Sequence, residues 1–269
     1  MTNPFFSIIT VTKNCEDTIV QTLNSVKMQT FVDYEHIVVD SFSEDNTYSL
    51  IENYSSKKII KKQIRDNSCF EGLNNAYKYA KGQFIILLHS GDLFYSSKIL
   101  ENIKKNINKK IDIMICNCIF FNDLNKVKRV WEVTVNKLNT NNCFHVPHTG
   151  MIINSNLVNE LQGYNLRYKI ASDTEYILRI FNKKNINYVF FNDFLCFMKL
   201  GGLSTNLKFS LDRIREDLDI YLNFFGKKKF VYMYVKKILA KIKQRFIIRN
   251  KESYNKNLFF LQKEINLNL

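Results

Sequence analysis

The sequence predicts an α/β fold, with a mostly parallel central sheet flanked by helices and a C-terminal helical extension. Strand-like and helix-like segments alternate over roughly the first ninety residues, which is the pattern of βαβ units and a parallel sheet. From Lys208 onward the periodicity is helical and no strand signal recurs. We therefore expect a sheet domain over residues 1–206 and a helical segment over residues 207–269.

The first elements follow from β-branched runs and from apolar residues at helical spacing. Residues 6–12 are rich in Ile, Val and Thr, and Ile19, Leu23 and Val26 then recur at spacings of four and three. The sequence predicts strands over residues 6–12, 36–40, 58–64 and 84–88. It predicts helices over residues 17–29 and 70–81, and a third that ends at Tyr54 after an N-cap at Ser43 or Asp45.

The later elements are predicted by the same patterns. We expect a helix over residues 98–108, strands over 111–121 and 127–135, a helix over 172–182 and a strand over 188–198. Gly201-Gly202 interrupts the pattern, and we place a domain boundary near Asn206.

Two acids follow predicted strands at the same edge of the sheet. Asp40 ends the second strand, and Asp92 follows the all-apolar strand Phe84–Leu88. Ligands bind outside the carboxyl ends of strands in an open parallel sheet, so both acids are expected to face one crevice. A carboxylate there can accept from a base or ribose, or can hold a divalent metal. The competing interpretation of each acid is a helix cap.

Three further residues have both a functional and a structural interpretation. His89 precedes Asp92 by three positions and could be a second metal ligand, although a lone histidine is more often structural. Asp173 lies near the start of a predicted helix, where an acid is usually a cap. Glu175 cannot share its helix face, so only one of the two can point into the crevice. His148 either lines the site or is a structural residue beside Pro147.

The cysteines and the N-terminal residues indicate the cellular compartment of the protein. The six cysteines form no CxxC pair and no zinc-finger spacing, which favours buried thiols in a reducing compartment. A strand pattern begins by Phe5 without a basic n-region, so no signal peptide is expected. No window approaches the length of apolar sequence that spans a bilayer. These observations predict a cytoplasmic protein.

The positive charge is concentrated in the C-terminal segment. Residues 227–269 carry twelve Lys/Arg and two Glu, and so account for most of the formal net charge of +14. A helical wheel groups one apolar stripe, formed by Val231, Val235, Ile238, Leu239, Ile242 and Phe246. It places basic residues on the remainder, namely Lys236, Lys237, Lys241, Lys243 and Arg245. Such a helix suits an anionic membrane surface. The alternative is a helix that packs its stripe on the domain and exposes its basic face.

Several short motifs occur together in the order seen in family 2 glycosyltransferases. They are Ser7–Asn14, Val38-Val39-Asp40 with Ser43–Thr47, Asn74–Gly82, Leu88–Asp92, His148, Ser172-Asp173 and Gly201–Thr205. Over roughly residues 6–206 the chain resembles this family, and most closely the subgroup that includes colanic-acid biosynthesis glycosyltransferases. Each motif is short and unspecific alone, but seven motifs in the order of the family are together specific for it.

The resemblance implies a GT-A fold, a nucleotide-diphosphate sugar donor and a divalent metal, Mn²⁺ or Mg²⁺. Asp173 matches the acid that serves as catalytic base, and Asp92 the last Asp of the metal-binding motif, with His89 beside it. The residues implied on the donor side are Thr10, Asn14, Asp40, Glu71, Asn74, Ser90 and Gly91. Those implied on the acceptor or phosphate side are His148, Gly201 and Gly202.

The chain departs from the family pattern at several positions. The usual Asp-Asp after the second strand is Asp40-Ser41, and the earlier acids of the metal motif are His89 and Gly91. Asp92 is thus the only carboxylate of that motif, which weakens the expected metal affinity.

The resulting expectation is an inverting glycosyltransferase in surface polysaccharide biosynthesis, such as capsule or lipopolysaccharide. It would transfer a sugar to a hydroxyl of a lipid-linked or oligosaccharide acceptor, as a peripheral protein on the inner face of the cell membrane. One alternative is a weak or inactive GT-A domain that acts as a nucleotide-sugar-binding membrane scaffold. A sugar nucleotidyltransferase is disfavoured because Thr12–Glu16 contains no glycine to cradle a triphosphate. A nucleic-acid partner is not expected, since no recognised motif accompanies the charge.

Overall fold

The computed structural model describes residues 3–107, 110–201, 210–246 and 251–267. The strands are β1 (Phe6–Thr12), β2 (Tyr34–Asp40), β3 (Ile59–Gln63), β4 (Phe84–Leu87), β5 (Leu93–Phe94), β6 (Ile113–Phe121), β7 (Val127–Trp131), β8 (Met151–Asn154) and β9 (Tyr188–Lys199). The helices are α1 (Glu16–Lys27), α2 (Thr47–Asn53), α3 (Cys69–Tyr77), α4 (Ile99–Asn106), α5 (Ser155–Leu161), α6 (Ser172–Asn182), α7 (Ser210–Phe246) and α8 (Lys251–Leu267). Two single 3₁₀ turns cover Cys143–His145 and His148–Gly150.

The strands of the described part form one sheet in the order β3-β2-β1-β4-β8-β6-β9-β5, with β7 paired to β6. The first four of these are parallel, as the alternation of strands and helices predicts. The second half is mixed, because β8 runs antiparallel between β4 and β6 while β9 is parallel to β6. In the parallel half Asp40 lies opposite Thr12 and Gln63, so the carboxyl ends of β1, β2 and β3 meet at one edge.

Alternate residues of each central strand enter two different cores. Ile8 and Ile86 pack with Leu100 of α4 on one face of the sheet. Ile9 and Leu87 belong to a second cluster with residues of α3 and α6. This alternation follows from the two-residue period of a strand, and it makes both faces of the sheet apolar.

The predicted elements are largely confirmed. The strand over residues 6–12 and the helix over residues 172–182 match residue for residue. The predicted helix over residues 70–81 ends at Tyr77, because Lys81 and Gly82 donate their backbone N–H groups to Glu35 and Ser7 as the chain turns into β4. Strands β5 and β8 and helix α5 were not predicted, and they have two, four and seven residues.

All six cysteines are free and four of them are buried, as expected of ordinary core thiols.

The C-terminal helices pack against the sheet domain. Helix α7 is broken at Gly226, whose backbone has a φ of 69° and a ψ of 169°. The two parts fold back on each other, because the ring of Tyr221 packs on Tyr234 and Lys237 contacts Asp217. Residues of α7 and α8 enter the cores formed with the sheet. The predicted boundary at Asn206 lies outside the described residues.

The second part of α7 exposes its apolar stripe. Five stripe residues are between 39% and 60% exposed: Val231, Val235, Ile238, Leu239 and Ile242. The side chain of the sixth, Phe246, lies outside the described part. On the other side of the helix Lys237 is only 3% exposed. The alternative in which the stripe packs on the domain is therefore wrong, and the helix instead turns part of its basic face inward. No helix in the described ranges is both long and apolar enough to cross a bilayer.

Candidate functional site

Asp40 is held by four donors at the end of β2. Its carboxylate accepts from the Thr12 hydroxyl, from both the backbone N–H and the hydroxyl of Ser43, and from the Gln63 amide. The residue is fully buried. These contacts fix the loop between β2 and α2. Asp40 therefore lies at the predicted edge of the sheet, but both of its carboxylate oxygens already accept hydrogen bonds from the protein.

A cleft of about 540 Å³ opens beside this loop. Its lining residues are Lys13, Ser41, Phe42, Ser43, Glu44, Arg65, Asp66 and Asn67. The Arg65 guanidinium lies 4.9 Å from the centre of the exposed Phe42 ring. Burial raises the pKa of Asp66, although a hydrogen bond from Ser41 opposes the shift. Sequence reasoning missed Asp66, yet it follows β3 at the same edge at which Asp40 follows β2.

The two residues predicted near β1 have different positions. Thr10 is fully buried, and its hydroxyl donates to the Leu88 carbonyl and contacts His36 Nε2. It therefore lies beneath the crevice rather than on its wall. Asn14 is exposed on the loop after β1, where it contacts Ser43 and accepts the backbone N–H of Glu44 at the rim of the cleft.

Helix α3 contributes two predicted residues, of which one is structural. Both amide atoms of Asn74 bind the backbone of Tyr164, at 2.9 and 2.8 Å, and hold the turn after α5 against α3. Gly163 in that turn has a φ of 70°, and a Cβ there would lie 2.3 Å from the Asn74 Oδ1. Glu71 is half-buried and accepts two hydrogen bonds from Asn67, which lower its pKa.

The loop after β4 carries the candidate metal ligand. Gly91 has a φ of +90°, a conformation that glycine adopts without strain, and its N–H donates to Thr22. The Ser90 hydroxyl contacts that of Thr18. Asp92 is buried, and its Oδ1 accepts the backbone N–H of Lys199. Its Oδ2 has no hydrogen-bond partner among the described residues.

The environment of Asp92 fits a divalent ion only in part. Burial raises its pKa to about 7, as expected of a carboxylate that lacks a compensating charge. The described residues contain no group of three His, Cys, Asp or Glu that could hold a metal by themselves. Mg²⁺ is commonly bound by one or two carboxylates together with substrate phosphates. The orphaned Oδ2 of Asp92 can supply one such ligand, and a bound molecule and water would have to supply most of the others.

Two histidines lie between this loop and α6. The rings of His89 and His148 are stacked with centroids 6.5 Å apart, and His148 Nε2 lies 2.5 Å from the Tyr164 hydroxyl. Burial lowers the pKa of both, for His89 to about 4, so His89 is the neutral imidazole that can coordinate a metal. The structure thus brings together residues that are 59 positions apart.

Asp173 lies in the first turn of α6 and is accessible, with a side chain that is 22% exposed. Burial raises its pKa, but the neighbouring positive charges outweigh this effect, so the net pKa lies below the ordinary value. Arg213 is the largest of these contributions, and its Nη2 lies 4.0 Å from the Asp173 Oδ2. Asp173 is therefore a carboxylate at neutral pH and can accept a proton.

Contacts from α7 and within α6 orient Asp173. The Glu216 carboxylate accepts the backbone N–H groups of Lys169, Ile170 and Ala171, directly before α6. Glu175 points away from the crevice, as expected, and pairs with Arg179. Sequence reasoning missed Glu216, Arg213 and the inward Lys237, because nothing local in α7 shows which of its charges face α6.

The predicted glycines after β9 are only partly described. Gly201 has a φ of +112° and lies at the end of β9, next to the loop of Asp92 that β9 anchors through Lys199. Gly202 lies outside the described residues.

Comparison with known proteins supports the family expected from the motifs. The sequence model described as Glycosyl transferase family 2 matches residues 7–162. One relative is the Escherichia coli UDP-Glc:alpha-D-GlcNAc-diphosphoundecaprenol beta-1,3-glucosyltransferase WfgD, 32% identical over 49% of this chain and 54% of the relative. Another, WfaP of the same printed activity and species, is 38% identical over 36% of this chain and 39% of the relative. The chain thus spans about half or less of the length of these curated relatives.

Solved structures share the fold. The S. aureus protein TarS (residues 1–349, in complex with UDP-GlcNAc) superposes with a TM-score of 0.66 at 18% identity, covering 98% of this chain and 81% of that chain. The Pyrobaculum calidifontis mannosyltransferase PcManGT, in complex with GDP-Man and Mn²⁺, gives 0.59 at 14% identity, covering 99% and 88%. At these identities the likeness shows the fold alone, and it confirms the predicted GT-A architecture with its C-terminal helices.

Proposed function

Because the chain belongs to glycosyl transferase family 2, we propose that it is an inverting glycosyltransferase that uses a nucleotide-diphosphate sugar. The observation that carries the proposal is the placement of Asp173. It is an ionised, accessible carboxylate that interacts electrostatically with His148, and the His148 ring stacks on that of His89, three residues before Asp92. The candidate base and the loop of the candidate metal ligand are therefore connected through these two histidines.

The nucleoside is proposed to bind in the cleft beside β2 and β3. Asp66 lines this cleft and can accept from a base or ribose, whereas Asp40 is buried with four donors and positions the loop. The Phe42 ring and the Arg65 guanidinium form a flat wall suited to an aromatic base. We therefore assign to Asp66 the nucleoside contact expected of Asp40.

The diphosphate is proposed to lie at the loop that carries Asp92. A divalent ion bound there would neutralise the charge of the leaving nucleoside diphosphate. Asp92 would supply one carboxylate oxygen to that ion, with His89 as a second candidate ligand. Gly91 is needed for the shape of this loop, since its φ of +90° strains other residues and a Cβ there would crowd the side chain of Lys199.

Asp173 is proposed to remove the proton of the attacking acceptor hydroxyl. A hydroxyl has a pKa far above neutral, and a positioned base contributes about 10²–10⁴-fold to such a step. A base on the side opposite the leaving group gives a single displacement, and hence inversion at the anomeric carbon. His148 lies beside Asp173 and is held by Tyr164, so it is placed to line the acceptor side.

The acceptor is proposed to be lipid-linked. The relatives WfgD and WfaP are named for a diphosphoundecaprenol acceptor. In this chain the exposed stripe of α7 offers an apolar face to a membrane, and Lys227, Lys228 and Lys229 are exposed at its start. Basic residues near an anionic surface contribute about 1 kcal/mol each. We propose that the protein docks through this face on the inner side of the cell membrane, as an enzyme of surface polysaccharide synthesis.

The test of the catalytic proposal is nucleotide release from a panel of UDP- and GDP-sugars, with and without Mn²⁺, followed by transfer to a diphosphate-linked sugar. We expect metal-dependent release of one nucleoside diphosphate that Asp92→Asn abolishes. The exposed Asp212 supplies the control Asp212→Asn, which is expected to behave as wild type. Nucleotide binding without release or transfer, even with the acceptor present, would instead identify an inactive scaffold.

The membrane proposal is tested by sedimentation with vesicles that contain anionic lipid. Replacing the exposed Leu239 by Gln is expected to reduce the bound fraction without lowering the melting temperature. The matched control is Leu124→Gln, which alters a leucine on the loop between β6 and β7 that is 72% exposed, against 60% for Leu239. Equal binding by both variants would exclude the stripe as the membrane contact.

A further inference from the structure

Three cations of α7 converge on the proposed catalytic base. Arg213 lies 4.0 Å from Asp173. Lys237 is buried, and its ammonium contacts the Asp217 carboxylate at 2.5 Å and the Thr174 hydroxyl at 3.0 Å. We call Arg213, Lys237 and Lys241 the α7 basic cluster. Arg213 comes from the part of α7 before Gly226 and the two lysines from the part after it, so the cluster exists only because the helix folds back.

Among the residues that the structure describes, the cluster has more positive than negative charge. Two carboxylates, Asp173 and Asp217, interact electrostatically with its three cations. Lys241 makes no hydrogen bond or ion pair within the described part of the chain. Burial and the two neighbouring cations lower its pKa well below the ordinary value. Lys241 is partly buried, so the desolvation of its ammonium is costly, and an anion placed beside it would offset this cost.

An unpartnered donor lies in the same place. The hydroxyl of Tyr221 is buried and has no hydrogen-bond partner among the described residues. Its ring lies beneath the Lys237 ammonium, 5.4 Å from the ring centre. The negative charges of Asp217 and Asp173 contribute to raising its pKa, after burial, so the hydroxyl is within their electrostatic range. The cluster thus presents both an excess cation and a neutral donor that the protein does not satisfy.

The position of the cluster matches that of a lipid phosphate. Lys237 is buried against Asp217 and Lys241 lies one turn further along the same helix, whereas the exposed stripe of Val235, Ile238 and Ile242 lies on a different side of it. A helix bound by such a stripe lies at the headgroup level of a membrane, about 5–10 Å into the boundary region. The phosphates of a lipid carrier occupy the same level.

We propose that the α7 basic cluster is the binding subsite for the diphosphate of a lipid-linked acceptor. The inference rests on the proposed glycosyltransferase function and adds to it the residues that recognise the acceptor. With the diphosphate held here, the attached sugar extends toward Asp173, so that one of its hydroxyls reaches the base. The cluster serves the acceptor rather than the donor because it surrounds Asp173, whereas the donor diphosphate is assigned to the loop of Asp92.

The kinetic test compares two acceptors that carry the same sugar, one on an alkyl diphosphate and one on a plain alkyl chain. For Lys241→Gln we expect KM for the diphosphate acceptor to rise about 10- to 100-fold, the size of one hydrogen bond to a charged group. KM for the plain glycoside and for the donor should not change. Lys241→Arg should restore most of the affinity, and Lys256→Gln, which alters an exposed lysine of α8, should leave all constants unchanged.

Two kinetic outcomes would overturn the proposal. Equal losses on both acceptors would show that Lys241 acts through Asp173 and not on a phosphate. A rise in donor KM would assign the cluster to the leaving nucleoside diphosphate. Because the Lys241 ammonium makes no hydrogen bond or ion pair with the described residues, Lys241→Gln should also melt at or above the wild-type temperature, which separates a binding defect from a folding defect.

A binding measurement keeps the test independent of turnover. Calorimetry with a short-chain alkyl diphosphate is performed with UDP or GDP and Mn²⁺ at saturation, so that the donor site is filled. Wild type should bind the probe, and Lys241→Gln should bind it at least about tenfold more weakly. Absence of binding to wild type would refute the subsite. Binding without any sugar transfer would refute the proposed function and leave the subsite in place.

Discussion

The two sides of the crevice differ in how completely their buried polar groups are paired with hydrogen-bond donors and charges of the protein itself. On the strand side, Asp40 has four donors from β1, β3 and its own loop, and the carboxylate is buried and fully paired. On the side of α6 and α7, Asp173 is accessible and faces cations that come from residues far along the chain. Asp92 is intermediate in this respect, because its Oδ1 accepts a hydrogen bond while its Oδ2 has no hydrogen-bond partner among the described residues.

This contrast separates structural residues from ligand-binding candidates better than residue type does. A buried polar group with all of its hydrogen-bond partners contributes to stability, and its removal lowers the free energy of unfolding. A buried polar group that lacks a partner in the folded chain lowers stability. Such a group is expected at sites where a bound ligand supplies the missing hydrogen bond or charge. By this criterion Asp92 and Lys241 are ligand-binding candidates, and Asp173 joins them because it is accessible, whereas Asp40, Thr10 and Asn74 are paired within the protein.

The largest expected effect is at Asp173. Asp173→Asn removes the base while keeping the size of the side chain, so the transfer rate should fall about 10²–10⁴-fold. Nucleotide binding and thermal stability should stay close to wild type. The measurement is the rate of sugar transfer together with the affinity for the nucleoside diphosphate. A variant that keeps more than about a tenth of the rate would remove Asp173 from the role of base.

A paired substitution of the two strand-exit acids tests the contrast directly. Asp92→Asn retains an acceptor for the Lys199 N–H, so it should be as stable as wild type but should lose metal-dependent activity. Asp40→Ala leaves the hydrogen-bond donors of Thr12, Ser43 and Gln63 without their acceptor, so it should lower the free energy of unfolding by about 1–3 kcal/mol. Denaturant titration and activity are measured on both. The opposite pattern, with Asp92→Asn unstable and Asp40→Ala stable, would contradict the assignment.

Glu216 offers a test of positioning. Glu216→Ala leaves three backbone N–H groups before α6 without an acceptor, so we expect a loss of about 1–3 kcal/mol in the free energy of unfolding. The rate should fall as well, because these contacts fix the turn that carries Asp173. Glu216→Gln keeps an acceptor oxygen and should recover part of both. Full activity in Glu216→Ala, measured well below its melting temperature, would show that the contact does not orient the base.

The smallest expected effect is on the pH profile. The base must be ionised, so the rate should fall as the pH drops through the pKa of Asp173. This pKa lies below the ordinary value of about 3.9, and the acid limb should therefore lie below about pH 4. Burial acts in the opposite direction, and four basic neighbours lower the pKa. They are Arg213, His148, Lys237 and Lys241.

Arg213→Gln removes the largest of these lowering contributions. The pKa of Asp173 should then rise, and the acid limb of kcat should move to higher pH. Arg215→Gln is the matched control, since Arg215 is exposed and pairs with Asp212 instead. An acid limb that is the same in both variants would show that Arg213 does not set the charge of the base.

Much of the fold could be predicted because its signals are local. The strand over residues 6–12 and the helix over 172–182 match because a β-branched run and a 3.6-residue apolar period each specify one backbone conformation. Strands β5 and β8 were missed because two and four residues are too few to show a period. The turn at the end of α3 was missed because it depends on Glu35 and Ser7, which are distant in sequence.

The candidate site divides in the same way. Asp92 and Asp173 were identified from motifs, since the residues beside them in sequence carry the resemblance. Asp66, Glu216 and the α7 basic cluster were not, because their roles depend on contacts across the fold. The helical wheel of α7 predicted an apolar stripe and a basic face, and it could not show which one faces the protein.

The sequence by itself determined the order of most strands and helices, the parallel half of the sheet, the family and the acids at the strand exits. These properties depend on local periodicity and on short motifs. Only the tertiary structure decided that Asp40 is fully paired, that Asp92 is not, and that α7 folds back at Gly226 to bring Lys237 and Lys241 toward Asp173. The reason is physical: pairing, burial and charge at a site are sums over neighbours in space, and most of those neighbours are far apart in sequence.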